Sequence, residues 1–175
     1  MDTIKTFEQF KNEKEKKTVI VSGFPGIGKS HFFRMMEDSG KKVLDSDSSL
    51  FSWIEKGVRH PDFPNNYIKH IKENIGKVDI ILIHRVYPVS SHDIVRDALV
   101  KNNIPFVLVY PSRDIKEEYI GRYIQRGSNE AFVKLLTDNW DKFIGDCEKQ
   151  KGCKHVVIKS GEYLSDKIKD LISEN

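Results

Sequence analysis

Residues Thr18–Phe32, TVIVSGFPGIGKSHF, decide how the chain folds. The apolar, β-branched start (Val19, Ile20, Val21) predicts a buried strand, the glycine-rich middle a tight turn, and the residues from Lys29 onward a helix. Gly23, Gly28, Lys29 and Ser30 match the spacing GxxxxGK(S/T), with Pro25 and Gly26 inside it. These residue types suit an anion. Glycines permit positive φ and let successive N–H groups face inward as a concave nest, and the start of the following helix adds its positive dipole end. Gly23, Phe24, Pro25, Gly26, Ile27, Gly28, Lys29, Ser30 and His31 are therefore expected around bound phosphates. Lys29 would reach the outer phosphates as a mobile point charge, and the Ser30 hydroxyl would be a magnesium ligand.

Working outward, the 175 residues are 38% hydrophobic and 31% charged, which suits one domain over 1–175 with one core. The formal charge of +3 is spread among interleaved acids and bases. That favours an anionic small molecule over nucleic acid. Cys147 and Cys153 form neither a metal spacing nor a disulfide framework, as expected of a cytoplasmic protein. No apolar run is long enough for a bilayer and the N-terminus lacks a signal-peptide core, so no membrane partner is expected. The sequence carries no signature of an oligomeric state.

Residues 1–17 read as a short helix with Ile4, Phe7 and Phe10 on one side, followed by a charged linker. Beyond the phosphate loop, helix Lys29 to Ser39 stops at Gly40, and a short second strand, Lys42 to Leu44, runs into Asp45-Ser46-Asp47. A helical turn is expected over Leu50 to Ile54 and a helix over Asn65 to Ile75. Strand three is Asp79 to Ile83, a helix starts near His92, and strand four is Pro105 to Tyr110. Helices over Asp114 to Gln125 and Glu130 to Lys149, strand five over His155 to Ile158 and a closing helix over Leu164 to Ser173 complete the chain. Five buried-type strands separated by helices predict a parallel, doubly wound α/β sheet, whose ligands lie beyond the strands' carboxyl ends.

That rule picks out the residues after each strand. Asp47 after strand two is a candidate metal ligand or base, although DSDSS also has the composition of a helix N-cap. Strand three, DIILI, lacks the acidic residue that hydrolysing motors carry at its end, since Asp79 stands at the entering end. Arg85, which follows it, is either a surface residue or a partner for an acceptor's anion. Arg122 and Arg126, four apart on one helical face, can close over a transferring phosphoryl group, with an exposed ion pair to Glu118 as the plainer alternative. Trp53, Phe63 and Tyr67 either stack on a base or pack. The six histidines form no ligand cluster.

GFPGIGKS, VLDSDSS, DFPNNYIKHIKENIGKVDI, VSSHDIVRDAL and VYPSRDIKEEYIGRYIQRG followed by NWDKFI resemble the P-loop nucleoside and nucleotide kinases. Within that family they resemble the small nucleotide-kinase-like proteins of bacteriophages. The resemblance implies a three-layer P-loop NTPase fold, sheet order 2-3-1-4-5, with ATP and Mg2+ on Gly23 to Ser30. It places the acceptor over Asp47 and Arg85, a lid at about 112–128 carrying Arg122 and Arg126, and Ile158 to Gly161 near adenine. The activity it implies is phosphoryl transfer from ATP to a nucleoside monophosphate, a deoxynucleotide in particular. Two other readings stay open: a kinase for a hydroxyl of a nucleoside, small molecule or polynucleotide end with Asp47 as base, and a nucleotide-binding regulator without catalysis.

Overall fold

Val19–Gly23 forms β1, the middle strand of a five-stranded parallel sheet, and is buried from Ile20 onward. The computed structural model describes residues 17–84 and 92–172. The N-terminal helix expected over 1–17 falls almost entirely outside them, and so does Arg85. The other sheet strands are β2 (Val43–Asp47), β5 (Ile80–His84), β6 (Val107–Pro111) and β7 (Lys154–Ile158), in the order β2-β5-β1-β6-β7. Val21 pairs with Leu82 on one side and Val107 on the other. The inner strands β5 and β6 bury their apolar runs on both faces, whereas the edge strand β7 buries Val156 and Ile158 and exposes Val157.

The label order departs from 2-3-1-4-5 because the chain makes two strands that the sequence reading lacks. Trp53–Glu55 (β3) and Val58–Arg59 (β4) pair as an antiparallel hairpin apart from the main sheet, turning at Lys56-Gly57 with Gly57 at φ 85°. They replace the second half of the expected helical turn, of which only α2 (Ser49–Ser52) forms.

Helix α1 (Lys29–Asp38) packs against the 3-10 turn Leu164–Lys167, and α3 (Asn65–Asn74) packs against α4 (His92–Lys101). Right-handed crossovers put these two pairs on opposite faces of the sheet. The chain leaves β1 toward β2, while β6 lies on the other side. A crevice therefore opens at the carboxyl end of β1, where this architecture holds its ligands.

Other expectations shift for physical reasons. The second strand runs on to Asp47, since the parallel register with β5 continues from Val43–Ile80 to Asp47–His84. After a 3-10 turn, Arg113–Ile115, α5 is Lys116–Gln125. The expected helix over Glu130 to Lys149 is two helices, α6 (Glu130–Asp138) and α7 (Trp140–Lys149). Asn139 ends the first by donating both its backbone N–H and its Nδ2 to the Leu135 carbonyl. The break turns Trp140 into the core, where its indole N–H donates to Arg113 O and its ring meets Phe24 edge-on at 5.7 Å. The closing segment is the 3-10 turn followed by α8 (Ile168–Ile172). Among the described residues no helix is long and apolar enough to cross a membrane.

Candidate functional site

The phosphate-loop turn lies at that crevice. Phe24 N–H donates to Val109 O at 2.9 Å, which fastens the start of the turn to β6. Gly26 and Gly28 both take φ 88°, and Gly28 leads directly into α1. A side chain has no room at Gly26, where a Cβ would stand 2.8 Å from Tyr123 Cε1, and would be tight at Gly28, 3.0 Å from Cδ1 of the exposed Tyr163. Phe24 and Ile27 are buried and belong to the core, so they can serve a ligand only through their backbone. Ser30 and His31 are exposed on the first turn of α1.

Lys29 folds back over the loop, its ammonium donating to the carbonyls of Gly23 and Phe24 at 3.2 Å each. Desolvation there, reinforced by the nearby charge of Arg126 and partly offset by Asp45, lowers its pKa from 10.5 to about 8. An anion brought beside this ammonium would favour its charged form and raise the pKa again.

Facing the loop across a cleft of about 550 Å³ are Arg122, Gln125, Arg126, Phe132 and Tyr163. The two arginines are thus brought together on one wall, but their situations differ. Arg122 is nearly enclosed. It donates to Gly26 O at 3.1 Å, to Glu162 O at 2.9 Å and to the Glu118 carboxylate, with its guanidinium over the rings of Tyr163 and Tyr119. Burial works to raise the Glu118 pKa, yet hydrogen bonds from Gly161 N–H, Ser160 and Arg122 hold it below the ordinary value. The ion pair is therefore real, and it sits inside a network rather than on an exposed helix. Arg126 is exposed, lies over Tyr123 and Phe132, and uses Nε on Ser128 Oγ. Its terminal nitrogens are the better placed to meet a ligand's oxygens.

Helix α5 rests on the phosphate loop. Tyr119 and Tyr123 are fully buried beneath it, and the Tyr123 hydroxyl donates to Pro25 O at 2.8 Å. The segment 112–128 forms one wall of the cleft through its docked helix.

On the β2 side, Asp47 Oδ1 accepts the Ser49 N–H at 2.8 Å, a local turn bond, while the N-cap of α2 is Ser48, whose side chain makes no cap bond. By strand alternation Asp45 shares a face with Asp47. Asp45 is exposed, and its charge is the carboxylate felt by Lys29. Tyr67 has to be corrected as a stacking partner for a base. It is fully buried, its hydroxyl donates to Ser46 O at 3.0 Å, and Phe51 and His70 occupy its surroundings. Trp53 is half-buried, with the Arg59 guanidinium 4.5 Å from its ring and 5.5 Å from that of Phe63. Arg59 Nη1 is buried without a hydrogen-bond partner. Asp79 stands at the entering end of β5, accepting the Lys42 N–H at 2.7 Å.

Among the described residues no group of three or more His, Cys, Asp or Glu could hold a metal ion. An exposed serine hydroxyl on the first turn of α1 with carboxylates at the end of β2 is, however, the sparse oxygen set with which magnesium is bound when phosphates supply its remaining ligands. Sequence reasoning ranks Asp45 behind Asp47, assigns Phe132 to a core stripe, and passes over Arg59 and Tyr163. Strand alternation sets Asp45 beside Asp47 once the strand is extended by three residues, from Leu44 to Asp47. Arg59 had a weaker signal in its flanking aromatics, and Tyr163 had none.

No family model matches the chain, and no curated protein matches it. Among solved structures it is similar to an uncharacterized protein from Eubacterium ventriosum, with TM-score 0.47 and 13% identity over 90% of this chain and 96% of that one. It is also similar to a gluconokinase from Sinorhizobium meliloti, with TM-score 0.48 and 14% identity over 91% of each chain. Likenesses this distant carry no argument about the reaction.

Proposed function

We propose that the chain is an ATP-dependent phosphotransferase acting in the cytoplasm on a nucleoside monophosphate, a deoxynucleotide in particular. This is what its resemblance to the P-loop nucleotide kinases, those of phage type among them, implies. The observation that carries the reading is the placing of Lys29 and the glycine loop opposite Arg126 across one cleft. The loop N–H groups and Lys29 take the β- and γ-phosphates, and Arg126 neutralises the oxygens of the phosphoryl group in flight. Magnesium bound with ATP would supply further neutralisation of the same oxygens, with Ser30 and Asp47 as its protein ligands. An acceptor phosphate is already a nucleophile, so positioning and charge carry most of the rate. Arg59, incompletely bonded in the segment after β2, supports an anionic acceptor, the role that the resemblance implies for Arg85.

A second reading has a specific observation in its favour. The carboxylates of Asp47 and Asp45 share one face at the end of β2, and a base there, Asp47 first, could take the proton of an acceptor hydroxyl. One experiment separates the two: ADP release from magnesium-ATP with each nucleoside and nucleoside monophosphate, ribo and deoxy, offered in turn. We expect a monophosphate to stimulate release, and expect Asp45→Asn and Asp47→Asn to lower it only modestly. Stimulation by a nucleoside alone, with near-total loss in either Asn variant, would replace the first reading by the second.

A further inference from the structure

Every backbone carbonyl from Gly23 to Ile27 has a partner, and the partners divide into two sets. Gly23 O and Phe24 O accept from Lys29, within the loop. Pro25 O accepts from the Tyr123 hydroxyl at 2.8 Å, Gly26 O from Arg122 Nη1 at 3.1 Å, and Ile27 O from Leu164 N–H at 2.8 Å. These last three donors come from outside the loop, two from α5 and one from the closing 3-10 turn.

The consequence follows from peptide geometry. In a planar trans peptide the carbonyl of one residue and the N–H of the next point in opposite directions. Holding the Pro25, Gly26 and Ile27 carbonyls outward therefore turns the N–H groups of Gly26, Ile27 and Gly28 the other way, as an anion nest requires. At the two inward carbonyls the logic is reversed: Phe24 N–H points away to Val109 O, and Pro25 has no N–H to misdirect. Gly26, with φ 88°, is otherwise free to rotate, since glycine tolerates the alternative orientations of its flanking peptides equally well.

We propose that Tyr123 and Arg122 are positioning residues that latch the phosphate loop, fixing the 25–26 and 26–27 peptides so that their N–H groups face the phosphates before ligand arrives. On this account Arg122 is committed to the loop's carbonyl and not to the phosphoryl group, and α5 is the part of the fold that pre-organises the loop. The inference rests on the phosphate-binding reading above and adds to it the agents of pre-organisation.

The test is calorimetric affinity for inorganic pyrophosphate and for ATP at pH 7.5, paired with thermal unfolding. Tyr123→Phe removes one hydroxyl and should weaken both ligands roughly fivefold, the equivalent of one neutral hydrogen bond. Arg122→Ala should weaken them at least as much, and Arg122→Lys, whose ammonium can still donate to Gly26 O, should recover part of the loss. Tyr110→Phe is the control: it removes another hydroxyl from a buried tyrosine, bonded to His155 at 3.0 Å, and should leave affinity unchanged at a similar loss of stability. Wild-type affinity in Tyr123→Phe and Arg122→Ala, with binding abolished in Lys29→Ala, would overturn the latch and leave the phosphate site standing. Equal weakening in Tyr110→Phe would overturn it too, by showing that general loosening suffices. Failure of the wild-type protein to bind either ligand would remove the phosphate-binding reading itself.

Discussion

Lys29 should make nucleotide affinity depend on pH in a range where few other groups titrate. In the free protein its pKa is about 8, depressed first by desolvation and then by Arg126. A bound polyphosphate favours the ammonium and returns the pKa toward 10.5 or above. Below pH 8 the ammonium is present in both states and this group adds no pH dependence. Above pH 8 the free protein must take up a proton in order to bind, and each further unit weakens binding tenfold until the bound-state pKa is reached. Between pH 7 and 9.5 the two pKa values give a loss of roughly 30-fold, about 2 kcal/mol. Calorimetry with ADP over that range measures it, since the terminal phosphate of the probe is already ionised. In Lys29→Arg the guanidinium does not titrate, so the profile should be flat whatever its absolute affinity. A flat wild-type profile, or the same slope in Lys29→Arg, would refute the reasoning. The sign for stability is opposite. Because the folded state disfavours the charged lysine, the unliganded protein should gain stability as pH rises from 8 to 10.5, through this group alone.

Two further substitutions bear on the site, and a third is a control away from it. Gly26→Ala forces an L residue to φ 88° with its Cβ 2.8 Å from the Tyr123 ring, so we expect about 2–4 kcal/mol of destabilisation by chemical denaturation together with loss of ATP binding. Gly40→Ala, at φ 79° with nothing within 4 Å, should show only the backbone part, about 1–2 kcal/mol. Arg126→Ala should leave stability within about 1 kcal/mol, because the residue is exposed, and should reduce acceptor-dependent turnover by roughly two orders of magnitude. A variant retaining full turnover would remove Arg126 from the mechanism.

The architecture was legible because the strongest signals are local. A short β-branched apolar run such as Ile80–Ile83, bounded by turn signals, favours a strand covered on both faces, and GFPGIGKS specifies its own turn. Short elements were not legible in this way. Strands of three and two residues, Trp53–Glu55 and Val58–Arg59, are too brief to display an alternation. The break at Asn139 was hidden because the apolar stripe continues across it from Phe132 to Ile144. At the site, the types and spacing of Lys29, Arg122 and Arg126 were visible, but their division of labour was not. Whether an arginine holds a carbonyl or faces the cleft depends on what a distant segment places beside it, here Gly26 and Glu162. Tyr67 failed as a base-stacking residue for a related reason: helical spacing marks a face as apolar without saying that Phe51 and Ser46 will cover it.

The central claim is transfer of the γ-phosphoryl group through the phosphate loop to an acceptor. It is tested most directly by incubating the protein with magnesium-ATP labelled in its γ-phosphate and the set of deoxynucleoside monophosphates, then separating the products. The account predicts label in a deoxynucleoside diphosphate, and none in the Lys29→Ala variant. Label that stays in ATP, or appears only as inorganic phosphate, would contradict it.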